Sequence, residues 1–257
     1  MISVDDSTLD AAAKLAKRLT QPLFATEQGF FNAPEPVWPR IALVHTAQRL
    51  ELRQYDSPSK QTINAVCIEP SGDEVQRRIR AGRKQPFARA IGLHKKPGLH
   101  VLDATAGLAR DAMVLAGLGC QLSLLERNPV IHALIEDALK YATPQLQNAC
   151  SLNACQNAVD YFQAQLSDAC GSRFDAIYLD PMYPHERRKA LPKKEMQLVR
   201  LLSGEDKDAD QLLPLALQLA SRVVVKRAPN AGDMAGLTPS HRIKSNRVRY
   251  DVYMAPI

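Results

Sequence analysis

The chain has 257 residues, 46% of them hydrophobic, so it is long and apolar enough to bury a full core together with a smaller appended unit. Lys and Arg number 33 against 27 Asp and Glu, and the resulting net charge of +6 favours a polyanionic partner, most commonly nucleic acid. No apolar run approaches the roughly 18 residues of a membrane span, and the five cysteines form no C-x-x-C pair. We therefore expect a cytosolic protein with reduced thiols.

The amino-terminal third of the chain has the less regular pattern. Helical spacing of apolar residues over 7–20 is followed by a proline-containing stretch and then by strand-like runs at 40–44, 50–54 and 65–68. We predict a small α+β domain over residues 1–85, with RNA contact as its expected role, and a second domain over 86–257.

A basic segment crosses the boundary between these two predicted domains. Eight Lys or Arg and no acidic residue occur from Arg77 to Lys96, and we predict one helix over 73–93. A cluster of this kind is typical of a surface that binds nucleic-acid phosphates. A solvated helix face is the alternative.

From residue 99 onward, predicted strands and helices alternate, which indicates a parallel sheet. The strand at 99–103 leads into a loop of small residues around Gly107 and then a helix over 112–118. Small side chains let a ligand approach the backbone there, and the start of the helix offers free N–H donors. The next strand, 121–125, is followed by Glu126, 19 residues past Gly107, which is placed to accept hydrogen bonds from ribose hydroxyls.

The composition of this loop distinguishes between two kinds of ribose-containing cofactor. A dinucleotide requires the pattern G-x-G-x-x-G, whereas this loop has Thr105 and Ala109 where further glycines are expected. S-adenosylmethionine has no phosphate, and its sulfonium and amino groups are cationic, so carboxylates such as Asp103 and Asp111 are tolerable near it. The loop therefore favours S-adenosylmethionine over NAD or FAD.

Two further strand ends add residues to the predicted site. A third strand near 151–153 is followed by Cys155 and Gln156, at the edge where adenine would lie. The buried run 176–179 ends in the tetrapeptide Asp180-Pro181-Met182-Tyr183, which presents a carboxylate, a rigid turn and an aromatic ring. This set suits a flat base with an amine, because the acid and a backbone carbonyl accept from the amine while the ring stacks. A purely structural turn is the alternative.

The last part of the chain carries a second basic cluster and a change of strand pattern. The cluster lies at 187–194, where an RNA backbone would pass to deliver a base, and His185 beside it could contact phosphate or relay a proton. After a strand at 222–226, whose last residues could also contact RNA, short runs at 241–244 and 249–254 break the alternation and predict a terminal hairpin.

Four motifs in fixed order resemble the RsmJ family of bacterial small-subunit ribosomal RNA guanine-N2 methyltransferases. They are DATAGLARD at 103–111, LERNP at 125–129, YLDPMYPH at 178–185 and VVVKR at 223–227, and the resemblance covers residues 60–257. It implies a class I methyltransferase fold, which is a Rossmann-like α/β architecture with a seven-stranded sheet closed by the hairpin. It also implies S-adenosylmethionine as methyl donor and a guanosine of 16S rRNA as acceptor.

The chain departs from the family pattern at two positions. Ala109 stands where the loop is expected to have a second glycine, and Met182 stands where related amino-methyltransferases have proline.

The motifs and the strand ends together give the candidate site residues. In the predicted mechanism, Asp180 and the Pro181 carbonyl hold the guanine amine for in-line methyl transfer, Asp180 takes the released proton, and Tyr183 stacks on the base. The predicted cofactor-binding residues are Asp103, Gly107, Arg110, Asp111, Glu126, Arg127, Cys155, Gln156 and Asp180. The expected partner is 16S rRNA or the small ribosomal subunit, and neither a metal nor a membrane is expected.

Two other function classes remain open at the level of sequence. The Asp-Pro-x-Tyr pattern reads an amine and not a particular base, so another base or a protein side chain could be the acceptor. A non-catalytic RNA-binding protein with the same fold is the second alternative, although Glu126 and Asp180 together argue against it.

Overall fold

The structure is a computed structural model that describes residues 2–3, 8–31, 40–56, 59–168, 174–182, 194–204, 206 and 208–255. Three predicted features fall outside these residues, namely Tyr183, His185 and the second basic cluster up to Lys193. Within the described part of the chain, no helix is both long and apolar enough to cross a bilayer. The same residues contain no group of three or more His, Cys, Asp or Glu side chains arranged to hold a metal ion.

The amino-terminal region forms a four-stranded sheet with two helices. Its strands pair in the order β1-β2-β3-β4, with β1 parallel to β2 and the other pairs antiparallel. On one side of this sheet, Phe31 packs edge to face against Tyr55, and the Phe30 ring is tilted against the same tyrosine. The elements are β1 Ile2–Ser3, α1 Leu9–Arg18, α2 Glu27–Phe31, β2 Arg40–His45, β3 Leu50–Tyr55 and β4 Thr62–Val66.

The larger part of the chain forms a seven-stranded sheet in the order β10-β11-β9-β8-β5-β6-β7. Strands β7, β6, β5, β8 and β9 are parallel, and the β10–β11 hairpin adds at the β9 edge in antiparallel orientation. The predicted class I methyltransferase fold and its terminal hairpin are therefore confirmed. The strands are β5 His100–Asp103, β6 Gln121–Leu124, β7 Cys150–Leu152, β8 Ala176–Leu179, β9 Arg222–Arg227, β10 His241–Lys244 and β11 Arg249–Met254.

The described residues form eight further α-helices between and around these strands. They are α3 Asp73–Arg80, α4 Pro86–Ile91, α5 Arg110–Gly117, α6 Pro129–Lys140, α7 Pro144–Ala149, α8 Ala158–Ser167, α9 Lys194–Ser203 and α10 Ala209–Leu219. The prediction of one basic helix over 73–93 is wrong, because the chain forms α3 and α4 instead. Gly82 between them has φ +71°, a left-handed conformation that ends α3, and Pro86 starts α4.

One continuous hydrophobic core joins the two sheets. Buried Leu52 and Val66 of the amino-terminal sheet belong to the same cluster as Val101 on β5 and Leu115 on α5. The buried carboxylate of Asp137 on α6 also accepts a hydrogen bond from the Leu50 backbone N–H of β3 at 2.7 Å. The amino-terminal sheet is thus fixed to the larger one, and a domain boundary at residue 85 stays a prediction.

Candidate active site

A cleft opens at the carboxyl ends of the central strands. Strand β5 lies between β6 and β8, and the chain proceeds from β5 to β6 and β7 on one side before it returns to β8 on the other. Such a reversal is where ligands bind in open α/β sheets. The cleft encloses about 520 Å³, counted out to the solvent at its mouth. Its lining includes Thr105, Gly107, Glu126, Arg127, Gln156, Asn157, Asp180, Met182, Ser203, Asp206 and Asp208.

The loop between β5 and α5 forms the floor of the cleft. Gly107 has φ +51°, and a Cβ built on it would have only the Thr105 carbonyl within 4 Å, at 3.9 Å. The backbone is therefore open to a ligand at this point. Ala109 is fully buried and also left-handed, with φ 54° and ψ 17°, at the start of α5. The departure from glycine at position 109 thus keeps a glycine-type conformation, at a cost of about 1–2 kcal/mol.

Glu126 connects the floor of the cleft to helix α6. Its carboxylate accepts the Gly107 N–H at 2.9 Å and the Asn128 N–H at 2.7 Å, and the residue is only 8% exposed. Burial raises the pKa of Glu126, and the two backbone N–H groups oppose that rise. A carboxylate has about four acceptor positions, so two remain for the hydroxyls of a ribose.

The third strand end contributes Gln156 and Asn157. Both line the cleft, and Asn157 also caps α8 by accepting the Val159 N–H at 2.7 Å. The exposed thiol of Cys155 is directed to the Arg127 carbonyl at 3.4 Å and is not part of the lining.

Two aspartates after α9 form a wall of the cleft that the sequence did not predict. Arg127 makes ion pairs with Asp206 and, at 3.0 Å, with Asp208. Asp206 also holds the loop after β8, because it accepts the Met182 N–H and donates its own N–H to the Met182 carbonyl at 3.1 Å. Among the described lining residues, four carboxylates thus face one guanidinium, and this cleft favours a cationic ligand over a phosphate.

Asp180 stands at the β8 side of the cleft. Its backbone N–H donates to the Thr105 hydroxyl at 2.6 Å, and its carboxylate Oδ2 pairs with Lys226 Nζ at 2.9 Å. The side chain keeps 39% of its area exposed, while Pro181 beside it is buried. Burial among other carboxylates raises the pKa of Asp180, and the Lys226 ammonium opposes that rise.

Asp111 does not line the cleft but lies in an ion-pair network behind Asp180. It accepts from Arg78 at 2.6 Å, from the Tyr178 hydroxyl at 2.6 Å and from Lys226 at 3.0 Å. Burial raises the pKa of Asp111, but the positive charges of Lys226 and Arg78 lower it by a larger amount. The pKa of Asp111 therefore falls below its ordinary value.

Of the predicted cofactor-binding residues, the structure brings Gly107, Glu126, Arg127, Gln156 and Asp180 together around the cleft. Asp103, Arg110, Asp111 and Cys155 are outside the lining, and their role in cofactor binding stays a prediction. Asp103 is buried beneath the loop and accepts the Thr105 N–H, and Arg110 pairs with Glu195 on α9. Burial and the nearby Asp111 raise the pKa of Asp103 well above its ordinary value.

Comparisons with known proteins identify the family. A profile of SAM-dependent methyltransferases matches residues 35–255. The ribosomal RNA small subunit methyltransferase J of Nitrosococcus oceani is 42% identical over 251 residues, which cover 96% of this chain and 94% of that protein. The protein of the same name from Aeromonas salmonicida is 42% identical over 84% of this chain and 87% of its own length. The chain belongs to this methyltransferase family.

A solved structure supports the same assignment at the level of the fold. The SAM-dependent methyltransferase from Neisseria gonorrhoeae superposes with a TM-score of 0.69 and 26% identity, over 99% of this chain and 95% of that one. The family resemblance seen in the four motifs is therefore confirmed, and so is S-adenosylmethionine as the cofactor.

The residues of the cleft fit this cofactor. The excess of carboxylates suits its sulfonium and ammonium charges, and Glu126 retains acceptor positions for its ribose. The Ser203 hydroxyl, which also lines the cleft, is buried with no hydrogen-bond partner among the described residues. A bound ligand with polar groups would satisfy it.

Proposed function

We propose that this enzyme methylates the exocyclic N2 of a guanosine in the RNA of the small ribosomal subunit. The observation that carries the proposal is a cofactor-type cleft whose rim presents the Asp180 carboxylate, in a chain of the small-subunit methyltransferase J family. Guanine N2 is the acceptor implied by the motif resemblance. The proposed substrate also implies a reaction in the cytoplasm.

The proposed chemistry depends on the orientation of a weak nucleophile. S-adenosylmethionine supplies an electrophilic methyl group on its sulfonium. Asp180 Oδ2 is occupied by Lys226, and no donor among the described residues contacts Oδ1. Oδ1 and the Pro181 carbonyl would accept the two N–H groups of the amine, which holds its lone pair in line with the methyl carbon.

Asp180 would also complete the proton balance of the reaction. As the N–CH3 bond forms and the S–CH3 bond breaks, the nitrogen becomes cationic and must release one proton. The adjacent Asp180 carboxylate can accept that proton, and S-adenosylhomocysteine leaves as the second product. Tyr183, outside the described residues, keeps its predicted role as the ring that stacks on the base.

A basic surface on α3 and the turn after it supports an RNA substrate over a protein one. Arg77, Arg80, Arg83 and Lys84 are exposed there. Arg78, between the first two, points inward to Asp111, which in turn contacts the Lys226 that pairs with Asp180. The exposed cations therefore lie on the element that reaches the catalytic edge, where an RNA backbone would be bound as its base enters.

The test is mass spectrometry of nucleosides from 16S rRNA. The rRNA is taken from the parent strain, from a strain that lacks the protein, and from that deletion strain after complementation. We expect one N2-methylguanosine to be lost and restored. The purified protein should place the same modification on naked 16S rRNA or on the small subunit, and the two substrates are to be compared. An unchanged nucleoside profile in the deletion strain would refute the proposal, whereas loss of a methylated adenosine would favour the other base.

With the purified protein, the Asp180→Asn substitution tests the residue that is assigned to bind the substrate amine. The substitution retains size but replaces an acceptor oxygen by a donor, so single-turnover methyl transfer should fall by roughly 10²- to 10⁴-fold. Affinities for cofactor and RNA should change little. Asp160→Asn is the matched control, because Asp160 is exposed on α8. If the Asp180→Asn protein were fully active, Asp180 would have no role in catalysis and the loop would be a structural turn only.

A further inference from the structure

Lys226 lies on β9, the neighbour of β8, and its ammonium lies between two carboxylates. We propose that Lys226, held by Asp111, is a positioning residue that keeps Asp180 ionised and oriented toward the substrate amine. This inference rests on the proposed function, since it assigns Asp180 the role of acceptor for that amine.

The geometry fixes Lys226 from both sides. Its Nζ is 2.9 Å from Asp180 Oδ2 and 3.0 Å from Asp111 Oδ2, and the side chain is 26% exposed. An ammonium has three donors, so two are used within the protein. These two ion pairs direct the ammonium of Lys226 toward the protein, and its contact with RNA stays a prediction.

Asp111 is in turn held by rigid neighbours. Arg78 Nη2 donates to its Oδ1, while the Tyr178 hydroxyl and Lys226 donate to Oδ2. Arg78 also lies 5.5 Å over the ring of Phe87, which packs on Tyr178 with ring centroids 5.0 Å apart. With three donors and a packed aromatic frame around it, Asp111 provides a fixed anchor for the ammonium.

The charges near Asp180 explain why it needs a cation. Among the described residues, the titratable groups that face it come from six parts of the fold: Asp103 at the end of β5, Asp111 on α5, Tyr178 on β8, Asp206 before α10, Lys226 on β9 and Tyr250 on β11. Lys226 is the only cation of this set. Without it, an acid surrounded by other acids would take up a proton, and a protonated Asp180 could no longer accept the proton that the amine releases.

The arrangement predicts opposite effects for two substitutions. Lys226→Met removes the cation, so the acidic limb of the pH profile for methyl transfer should move to higher pH. Asp111→Asn removes a competing carboxylate and leaves Lys226 to Asp180 alone, so the limb should move to lower pH. A merely structural role would weaken both proteins without moving their limbs in opposite directions.

The experiment measures single-turnover methyl transfer to 16S rRNA between pH 5 and 9, with cofactor and RNA saturating. Lys226→Met should lose roughly tenfold or more at neutral pH, as one unit of pKa change is a factor of ten, and should recover in part as the pH rises. Lys226→Arg should restore most of the rate near neutral pH. Lys244→Met, an exposed lysine on β10, is the matched control and should behave as wild type.

Each result supports or overturns the inference. If Lys226→Met does not fold, Asp111→Asn alone decides, because an unmoved acidic limb contradicts the coupling. If both limbs stay in place while the wild-type protein methylates guanine N2, only this inference fails. A wild-type protein that methylates no RNA removes the proposed function and this inference with it.

Discussion

Glu126→Gln tests whether the buried carboxylate is the ribose acceptor of the cleft. In the structure, Glu126 is 8% exposed and accepts hydrogen bonds from the Gly107 and Asn128 N–H groups. A glutamine has one acceptor oxygen in place of two. Its amide donor must therefore face either one of these N–H groups or the cofactor.

The contacts give a magnitude for both stability and binding. Leaving one buried N–H without an acceptor costs about 1–3 kcal/mol, so the free energy of unfolding should fall by that amount. A hydrogen bond to a charged group contributes about 1.5–3 kcal/mol, so the affinity for S-adenosylmethionine should fall by roughly tenfold to a hundredfold.

Two measurements separate these effects. Urea denaturation gives the change in unfolding free energy, and titration calorimetry at a temperature well below the transition gives the dissociation constant of S-adenosylmethionine. The matched control is Glu136→Gln, the same change on α6, where Glu136 pairs with Arg18 at the surface. It should alter stability by less than about 1 kcal/mol and leave affinity unchanged. Wild-type affinity in Glu126→Gln would exclude Glu126 from the cofactor site.

Three further predictions follow from the packing and charges around α3 and α5. Replacing Arg77 and Arg80 by Ser should weaken RNA binding and reduce its salt slope by about one to two units, with cofactor affinity unchanged; an identical slope would make α3 a solvated helix. Gly117→Ala should destabilise the fold by about 1–3 kcal/mol in thermal or urea unfolding, because the added Cβ would lie 2.3 Å from the Ile79 side chain of α3; unchanged stability would show that α3 shifts freely. The pKa of Asp111 is lower in the folded protein than in the unfolded one, so its stabilisation is present above about pH 4 and is lost as the pH falls below that value. Asp111→Asn should therefore flatten the acid branch of the stability curve, and an equally steep branch would contradict this.

Arg78 of the basic segment differs from its neighbours Arg77 and Arg80 in its contacts. From the sequence, Arg77, Arg78 and Arg80 are equivalent, and all three would be replaced together. In the structure, Arg78 is only 23% exposed on its side chain and pairs with Asp111. Its loss would disturb the catalytic edge, so a clean test of RNA binding must leave it in place.

Those elements that depend on local sequence were predicted well. Strand β8 and the β10–β11 hairpin have the predicted bounds, because an apolar β-rich run and two short runs around a turn are local signals. The residues at strand ends also gather as predicted, since parallel strands present their carboxyl ends at one edge of a sheet. The single helix over 73–93 was expected from a continuous run of eight positive charges. Charge does not determine helix ends, and the chain is interrupted at Gly82 and restarts at Pro86.

Side-chain contacts that depend on the order of the strands in the sheet could not be predicted from the sequence. Lys226 contacts Asp180 only because β9 lies next to β8 in the sheet. Asp111, in the first turn of α5, contacts the same ammonium. Asp206 and Asp208 occur in a polar stretch that reads as a loop, and nothing local indicates that Arg127 recruits them to the cleft. Such contacts are set by tertiary packing and leave no periodic trace.

In the described residues 180–182, the segment that presents Asp180 is held by two residues that also line the cofactor cleft. Thr105 holds the Asp180 N–H, and Asp206 holds both backbone groups of Met182. A ligand that orders Thr105 and Asp206 therefore orders the binding place of the base as well. By thermodynamic reciprocity, the factor by which bound cofactor raises the affinity for RNA must equal the factor by which bound RNA raises the affinity for cofactor. The two substrates of this enzyme are thus expected to bind cooperatively through the shared residues Thr105 and Asp206.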